Sequence, residues 1–144
     1  NADEEEGRGL LIVDRNPIAR SMMRTLLEPH FPDTRFAADA EEARAAMEGK
    51  GVEVVLVDEA ALGKDADRDA RARALAGDVA AHHARGLLLC SAENAAALKE
   101  ILTGSAFQIL VKPVKGDALV DAIVAMASRK GDRGNASKLV SNAA

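Results

Sequence analysis

Apolar residues in this chain come in two patterns that alternate. Short unbroken runs occupy residues 10–13 (Leu-Leu-Ile-Val), 54–57 (Val-Val-Leu-Val), 87–90 (Leu-Leu-Leu-Cys) and 109–111 (Ile-Leu-Val). Runs of this length, several rich in β-branched residues, read as strands buried on both faces, as in a parallel sheet. Residues 34–37 (Thr-Arg-Phe-Ala) are a shorter and weaker strand candidate. Between the runs, apolar residues recur at helical spacing. Asn16-Pro17 opens the first helix, with Asn as N-cap and Pro at the first helical position. Ile18, Met22 and Leu26 repeat every four residues beside Ala19, Met23 and Leu27, which predicts one broad apolar stripe. Glu28-Pro29 stops it. Asp39 and Glu42 form a capping box for a second helix, with Ala43, Ala46 and Met47 inward and Gly49 and Gly51 at its end. Residues 60–85 are rich in Ala, Arg and Asp. They predict a polar loop and then a helix near 68–81 with a thin apolar stripe, for which a solvated helix or partial disorder is the alternative. Helices near 94–102 (Leu98, Ile101, Leu102 inward) and 117–128 (Leu119, Val120, Ile123, Val124, Met126 inward) complete the chain.

The order is strand then helix, five times. That alternation predicts an α/β domain: a five-stranded parallel sheet with right-handed crossovers and helices on both faces. The domain is expected over residues 9–128. Residues 1–8, acidic and without large apolar side chains, read as a lead or linker, and residues 129–144 as a flexible tail. The first residue is Asn rather than Met, which suggests a piece of something longer.

Composition narrows the function classes. A length of 144 residues suits one domain with a real core. Charged residues make up 29% and the formal net charge is −4, so the surface is mildly acidic and has no basic block. Aromatics are 2%, with no Trp or Tyr, which leaves no base-stacking platform and argues against nucleic-acid binding by this domain. The single Cys excludes an internal disulfide and favours a reducing compartment, hence a cytoplasmic location. No apolar run approaches membrane-spanning length, and no signal peptide is visible.

The candidate chemistry lies at the strand ends. In open α/β sheets, ligands sit beyond the carboxyl ends of the strands. The four runs end in Asp14, Asp58, Ser91 and Lys112-Pro113. An isolated strand-end Asp is as readily a turn residue as a functional one. Two carboxylates, a hydroxyl and an ammonium converging on one sheet edge shift the balance towards a site. Ser91 also suits the N-cap of the following helix, and one residue can do both. Cys90 reads as a small core hydrophobe rather than a nucleophile. The adjacent His82 and His83 point different ways on a helix and read as solvated.

Leu10-Leu-Ile-Val-Asp14, Val54-Val-Leu-Val-Asp58, Leu87-Leu-Leu-Cys-Ser91-Ala92 and Ile109-Leu-Val-Lys112-Pro113 resemble the four signatures of response-regulator receiver domains of two-component signalling. The resemblance covers residues 9–128. It implies a flavodoxin-like (βα)5 fold and a signalling domain rather than an enzyme, at most catalysing its own phosphorylation and dephosphorylation. It implies Asp58 as phosphoacceptor from a histidine kinase or phosphotransfer protein. Lys112 and Ser91 would hold phosphoryl oxygens. Asp14, Asp58 and the carbonyl of Ala60 would bind Mg²⁺. The bond before Pro113 would be cis. The parent chain would be a hybrid histidine kinase or multidomain regulator in a phosphorelay. A homodimer is compatible with it, and membrane contact by this domain is not implied.

The chain also departs from the family's pattern. Arg15 stands where a second acid is usual, so Mg²⁺ binding is expected to be weak, with Asp14 or Glu59 as substitute ligands or Arg15 as a counter-ion to Asp58. The loop after the acceptor, Glu59-Ala-Ala-Leu-Gly-Lys64, lacks the usual Met-Pro. Ile109 stands at the place of the switch aromatic. The alternative to a phosphoacceptor is therefore a pseudo-receiver, a protein-interaction module without Mg²⁺-dependent phosphorylation.

Overall fold

The computed structural model describes residues 9–49 and 51–131. Five parallel strands, β1 (Gly9–Val13), β2 (Thr34–Ala37), β3 (Val52–Asp58), β4 (Arg85–Cys90) and β5 (Phe107–Val111), lie in the order β2-β1-β3-β4-β5. The helices are α1 (Pro17–Leu27), α2 (Ala40–Glu48), α3 (Asp65–Ala81), α4 (Ala92–Ile101) and α5 (Gly116–Gly131). The expected α/β architecture with five parallel strands is therefore present. The lead over residues 1–8 and the tail beyond residue 131 fall outside the described residues, while α5 carries the helix past the expected end at 128.

Alternation along the buried strands sorts side chains into two cores. Leu10, Ile12, Val54, Leu56, Leu87 and Leu89 face α1 and α5, meeting Leu27, Leu119, Ile123 and Met126. Leu11, Val13, Val55, Val57, Leu88 and Cys90 face α2, α3 and α4, meeting Met47, Leu75, Val79 and Leu98. β1, β3 and β4 are covered on both faces, which is why their apolar runs are unbroken.

Caps fix the helix starts. The Asn16 side chain accepts from the amides of Ile18 (2.8 Å) and Ala19 (3.3 Å). Asp39 accepts from the Glu42 amide (2.8 Å), and Glu42 reaches back to the Ala38 amide (2.9 Å). Glu28 caps α1, and Gly49 caps α2.

Several expectations change. The α1 stripe is narrower than its pattern: Leu27 is buried and Met23 packs on the core, but Ile18 and Met22 are 71% and 63% exposed and Leu26 39%. Two four-residue rows one position apart lie about 100° apart around the helix, so only one can face the sheet. The loop after Asp58 is a short 3-10 turn, Glu59–Leu62, with Ala61 and Leu62 buried. Gly63, at φ +88°, turns the chain into α3, which starts at Asp65 rather than 68. The thin stripe of α3 is sufficient, because Ala72, Leu75 and Val79 all bury. That helix ends at Ala81, so the exposed His82 caps its end and His83 follows at φ 57°. α4 starts at Ala92, earlier than expected, with Ser91 as N-cap. β5 begins two positions early, at Phe107. Gly86 allows this: a Cβ there would lie 2.4 Å from the Phe107 ring.

Candidate functional site

Asp58 is the last residue of β3, in register with Leu89 of β4. Its Oδ2 accepts from the Ala60 amide (3.0 Å), which caps the 3-10 turn and fixes the carboxylate. Its Oδ1 accepts from Lys112 Nζ at 2.8 Å. Lys112 reaches it because its amide continues the ladder onto the Cys90 carbonyl (2.8 Å), so its side chain leaves the sheet at the same edge. The Lys112–Pro113 bond is cis, as the resemblance implies. The Asp58 side chain is 12% exposed and that of Lys112 42%, so the pair is sheltered on one side and wet on the other. Burial alone would lower the Lys112 pKa. Its hydrogen bond to Asp58 and the charges of Asp58, Glu59 and Asp14 outweigh burial and raise it.

Asp14 follows β1 and is buried, at 7% exposure. Its amide donates to the Ala37 carbonyl (3.0 Å), and its Oδ1 accepts from the Asn16 amide (2.9 Å). Arg20 of α1 donates to its carbonyl oxygen (2.6 Å). Burial pushes the Asp14 pKa up; the Asn16 bond opposes this, the Asp58 charge adds to it, and Lys112 and Arg20 oppose it.

Ser91 follows β4. Its Oγ accepts from the Asn94 amide (3.3 Å), so it is the N-cap of α4, and its hydroxyl proton has no acceptor among the described residues. Its own amide donates to Glu59 Oε1 (2.7 Å), and Asn94 Nδ2 donates to Glu59 Oε2 (2.8 Å). Glu59, directly after Asp58, thus ties the end of β3 to the first turn of α4. Cys90 is fully buried, and burial pushes its thiol pKa up, away from nucleophilic use.

The oxygen donors expected for Mg²⁺ fit the ion poorly. Asp14 and Asp58 are near enough to interact, but no group of three His, Cys, Asp or Glu able to hold a metal occurs among the described residues. Both oxygens of Glu59, expected as a substitute ligand, are engaged with Ser91 and Asn94. Arg15 is exposed and makes no hydrogen bond or ion pair among the described residues. The counter-ion of Asp58 is therefore Lys112 and not Arg15. Mg²⁺ prefers near-octahedral oxygen coordination, and two carboxylates beside the Lys112 ammonium are a weak start for it.

The structure brings Asp14, Asp58 and Lys112 together at one sheet edge, with the Ala60 amide on Asp58 and Ser91 at the neighbouring strand end. It adds Glu59, Asn94 and Arg20, which the sequence reading gave no such part. Their signals are weak: Glu59 lies 32 residues from Ser91 and 35 from Asn94, and only the topology makes them neighbours.

No protein-family model matches the sequence, and the search of curated proteins gives no match. Solved structures do match. A response-regulator receiver domain from Clostridium thermocellum is 21% identical, with 85% of this chain and 96% of that one covered and a TM-score of 0.70. A CheY-like receiver domain from Methanospirillum hungatei is 18% identical, covering 88% and 98%, with a TM-score of 0.68. The receiver domain of the Francisella response regulator 1452 is 19% identical, covering 85% and 98%, with a TM-score of 0.66. The five-stranded parallel sheet of this chain, with its helices on both faces, has the fold of response-regulator receiver domains.

Proposed function

We propose that this chain is a phosphoacceptor receiver domain that takes a phosphoryl group from a histidine kinase or phosphotransfer protein onto Asp58. The observation that carries the reading is the Lys112 ammonium held 2.8 Å from Asp58 Oδ1, with the other Asp58 oxygen fixed by the Ala60 amide. In the reaction an Asp58 oxygen attacks the phosphorus of a phosphohistidine. The O–P bond forms, the N–P bond breaks, and its electron pair stays on the imidazole nitrogen. The phosphoryl oxygens carry the charge, and Lys112 as a cation and Ser91 as a donor meet it. The part is that of a signalling domain, not of an enzyme with a separate substrate. Among the described residues no helix is long and apolar enough to cross a membrane, in keeping with work in the cytoplasm. Mg²⁺ would bind weakly, through Asp14, Asp58 and the Ala60 carbonyl. The exposed Ile18 and Met22 of α1 offer an apolar surface for that donor protein.

A pseudo-receiver is the second reading, and Arg15 beside Asp14 favours it. Phosphotransfer from the histidine kinases of the source organism separates the two. Label on the wild type and none on Asp58→Asn supports the first; no label from any kinase supports the second.

A further inference from the structure

We propose that Glu59 is a positioning residue for phosphoryl transfer, clamping Ser91 to the residue that directly follows the nucleophile. This rests on the phosphoacceptor reading. Asp58 and Glu59 are consecutive and share the start of one 3-10 turn, which the Asp58 carboxylate caps. Whatever Glu59 holds is therefore held in fixed relation to the acceptor. It holds two donors across the sheet edge, the Ser91 amide at 2.7 Å and Asn94 Nδ2 at 2.8 Å. The Asn94 amide in turn donates to Ser91 Oγ (3.3 Å), which closes a ring of three hydrogen bonds around the hydroxyl.

The Ser91 amide lies at the start of α4, where helix geometry supplies no partner. A carboxylate there is favoured by the helix dipole, and its bonds are charge-assisted. An acid placed only to suit its own short turn would not need two partners more than thirty residues away. Glu59 also lines an open groove of about 550 Å³ with Ala60, Asn94 and Lys112, next to the acceptor. Its charge adds to the hold on the Lys112 ammonium. The bridge leaves the Ser91 hydroxyl proton free and restrains only the backbone that carries it. Loss of the bridge lets Ser91 drift, and a displaced donor lowers the rate of transfer.

The test uses acetyl phosphate with Mg²⁺ as donor and intact-protein mass spectrometry to follow initial uptake. The proteins are the wild type, Glu59→Gln, Ser91→Ala and the double variant. Gln offers one acceptor oxygen and turns its amide towards the second donor, so one bond of the pair is lost. Uptake by Glu59→Gln is expected to fall about tenfold. The double variant is expected to match Ser91→Ala within twofold, because Glu59 acts through Ser91. Asn94→Ala keeps the carboxylate and its bond to Ser91; it gives a smaller loss, again absent in the Ser91→Ala background, and serves if Glu59→Gln folds poorly. Wild-type uptake by Glu59→Gln and Asn94→Ala, or a full loss persisting without the hydroxyl, overturns the clamp alone. No uptake by the wild type either from acetyl phosphate or from a histidine kinase overturns the phosphoacceptor reading and the clamp with it.

Discussion

Replacing Lys112 with Met keeps most of the side-chain volume and removes the charge that faces Asp58. Two unit charges 2.8 Å apart attract by roughly 6 kcal/mol at an effective dielectric of 20 and by roughly 1.5 kcal/mol in water. The Lys112 side chain is 42% exposed, which puts the pair nearer the second figure. Desolvation and side-chain ordering reduce it further, to a net contribution of about 1 kcal/mol. The folded pKa of Lys112 is raised, so this contribution is complete below the ordinary lysine value of 10.5 and is lost as pH rises through the raised value. Urea unfolding of the wild type and Lys112→Met is expected to differ at pH 7 and to converge in strong alkali. The effect on chemistry is larger, because the ammonium faces charge that grows as the phosphoryl group transfers. Loss of one preorganised partner of this kind costs about a hundredfold in rate. Uptake of label from acetyl phosphate by a folded Lys112→Met protein at the wild-type rate would refute the reasoning. Lys112→Arg is expected to restore stability but not rate, since the guanidinium is a planar fork rather than a point charge.

Asp14→Asn is expected to stabilise the protein at pH 7, since it removes a buried charge beside Asp58. The folded pKa of Asp14 is raised, so the wild type recovers as pH falls through that value, and unfolding curves of the two proteins should meet below the ordinary carboxylate range; a constant gap at all pH values would count against burial as the cause. The wild type is expected to bind Mg²⁺ weakly and Arg15→Asp at least tenfold more tightly, by restoring a carboxylate in place of a cation; equal affinities in titration would mean that Arg15 has no influence on the pocket. Gly86→Ala puts a methyl 2.4 Å from the Phe107 ring and is expected to cost about 2 kcal/mol, as overpacked cores do; unchanged urea unfolding would show that the ring is free to move aside.

Where burial is two-sided, the strands were legible, because a strand covered on both faces is apolar along its central run, even where a charged residue such as Glu53 or Arg85 stands at its start. β1, β3 and β4 meet that condition, and their ends mark the sheet edge where Asp14, Asp58 and Ser91 stand. β5 is an edge strand and only half buried, so Phe107 and Gln108 gave no continuous run and its start was misread. α1 misled in the other direction: its pattern holds more apolar residues than the sheet has room to cover, and Ile18 and Met22 remain outside. The caps at Asn16 and Asp39 were legible because both partners lie within three residues. The Glu59 bridge was not, because local spacing says nothing of which strand ends the topology brings together. Arg20 on the Asp14 carbonyl has the same cause at shorter range, a side chain returning from α1 to the strand end before it.

The central claim is that Asp58 is a nucleophile held ready by Lys112. Its most direct measurement is site mapping of the phosphoryl group after exposure to acetyl phosphate. Borohydride reduction cleaves an aspartyl phosphate and leaves homoserine at the modified position, which peptide mass spectrometry then locates. The account predicts a single modified residue, Asp58, and none in Asp58→Asn. An adduct that survives acid, or one that persists in Asp58→Asn, would contradict it.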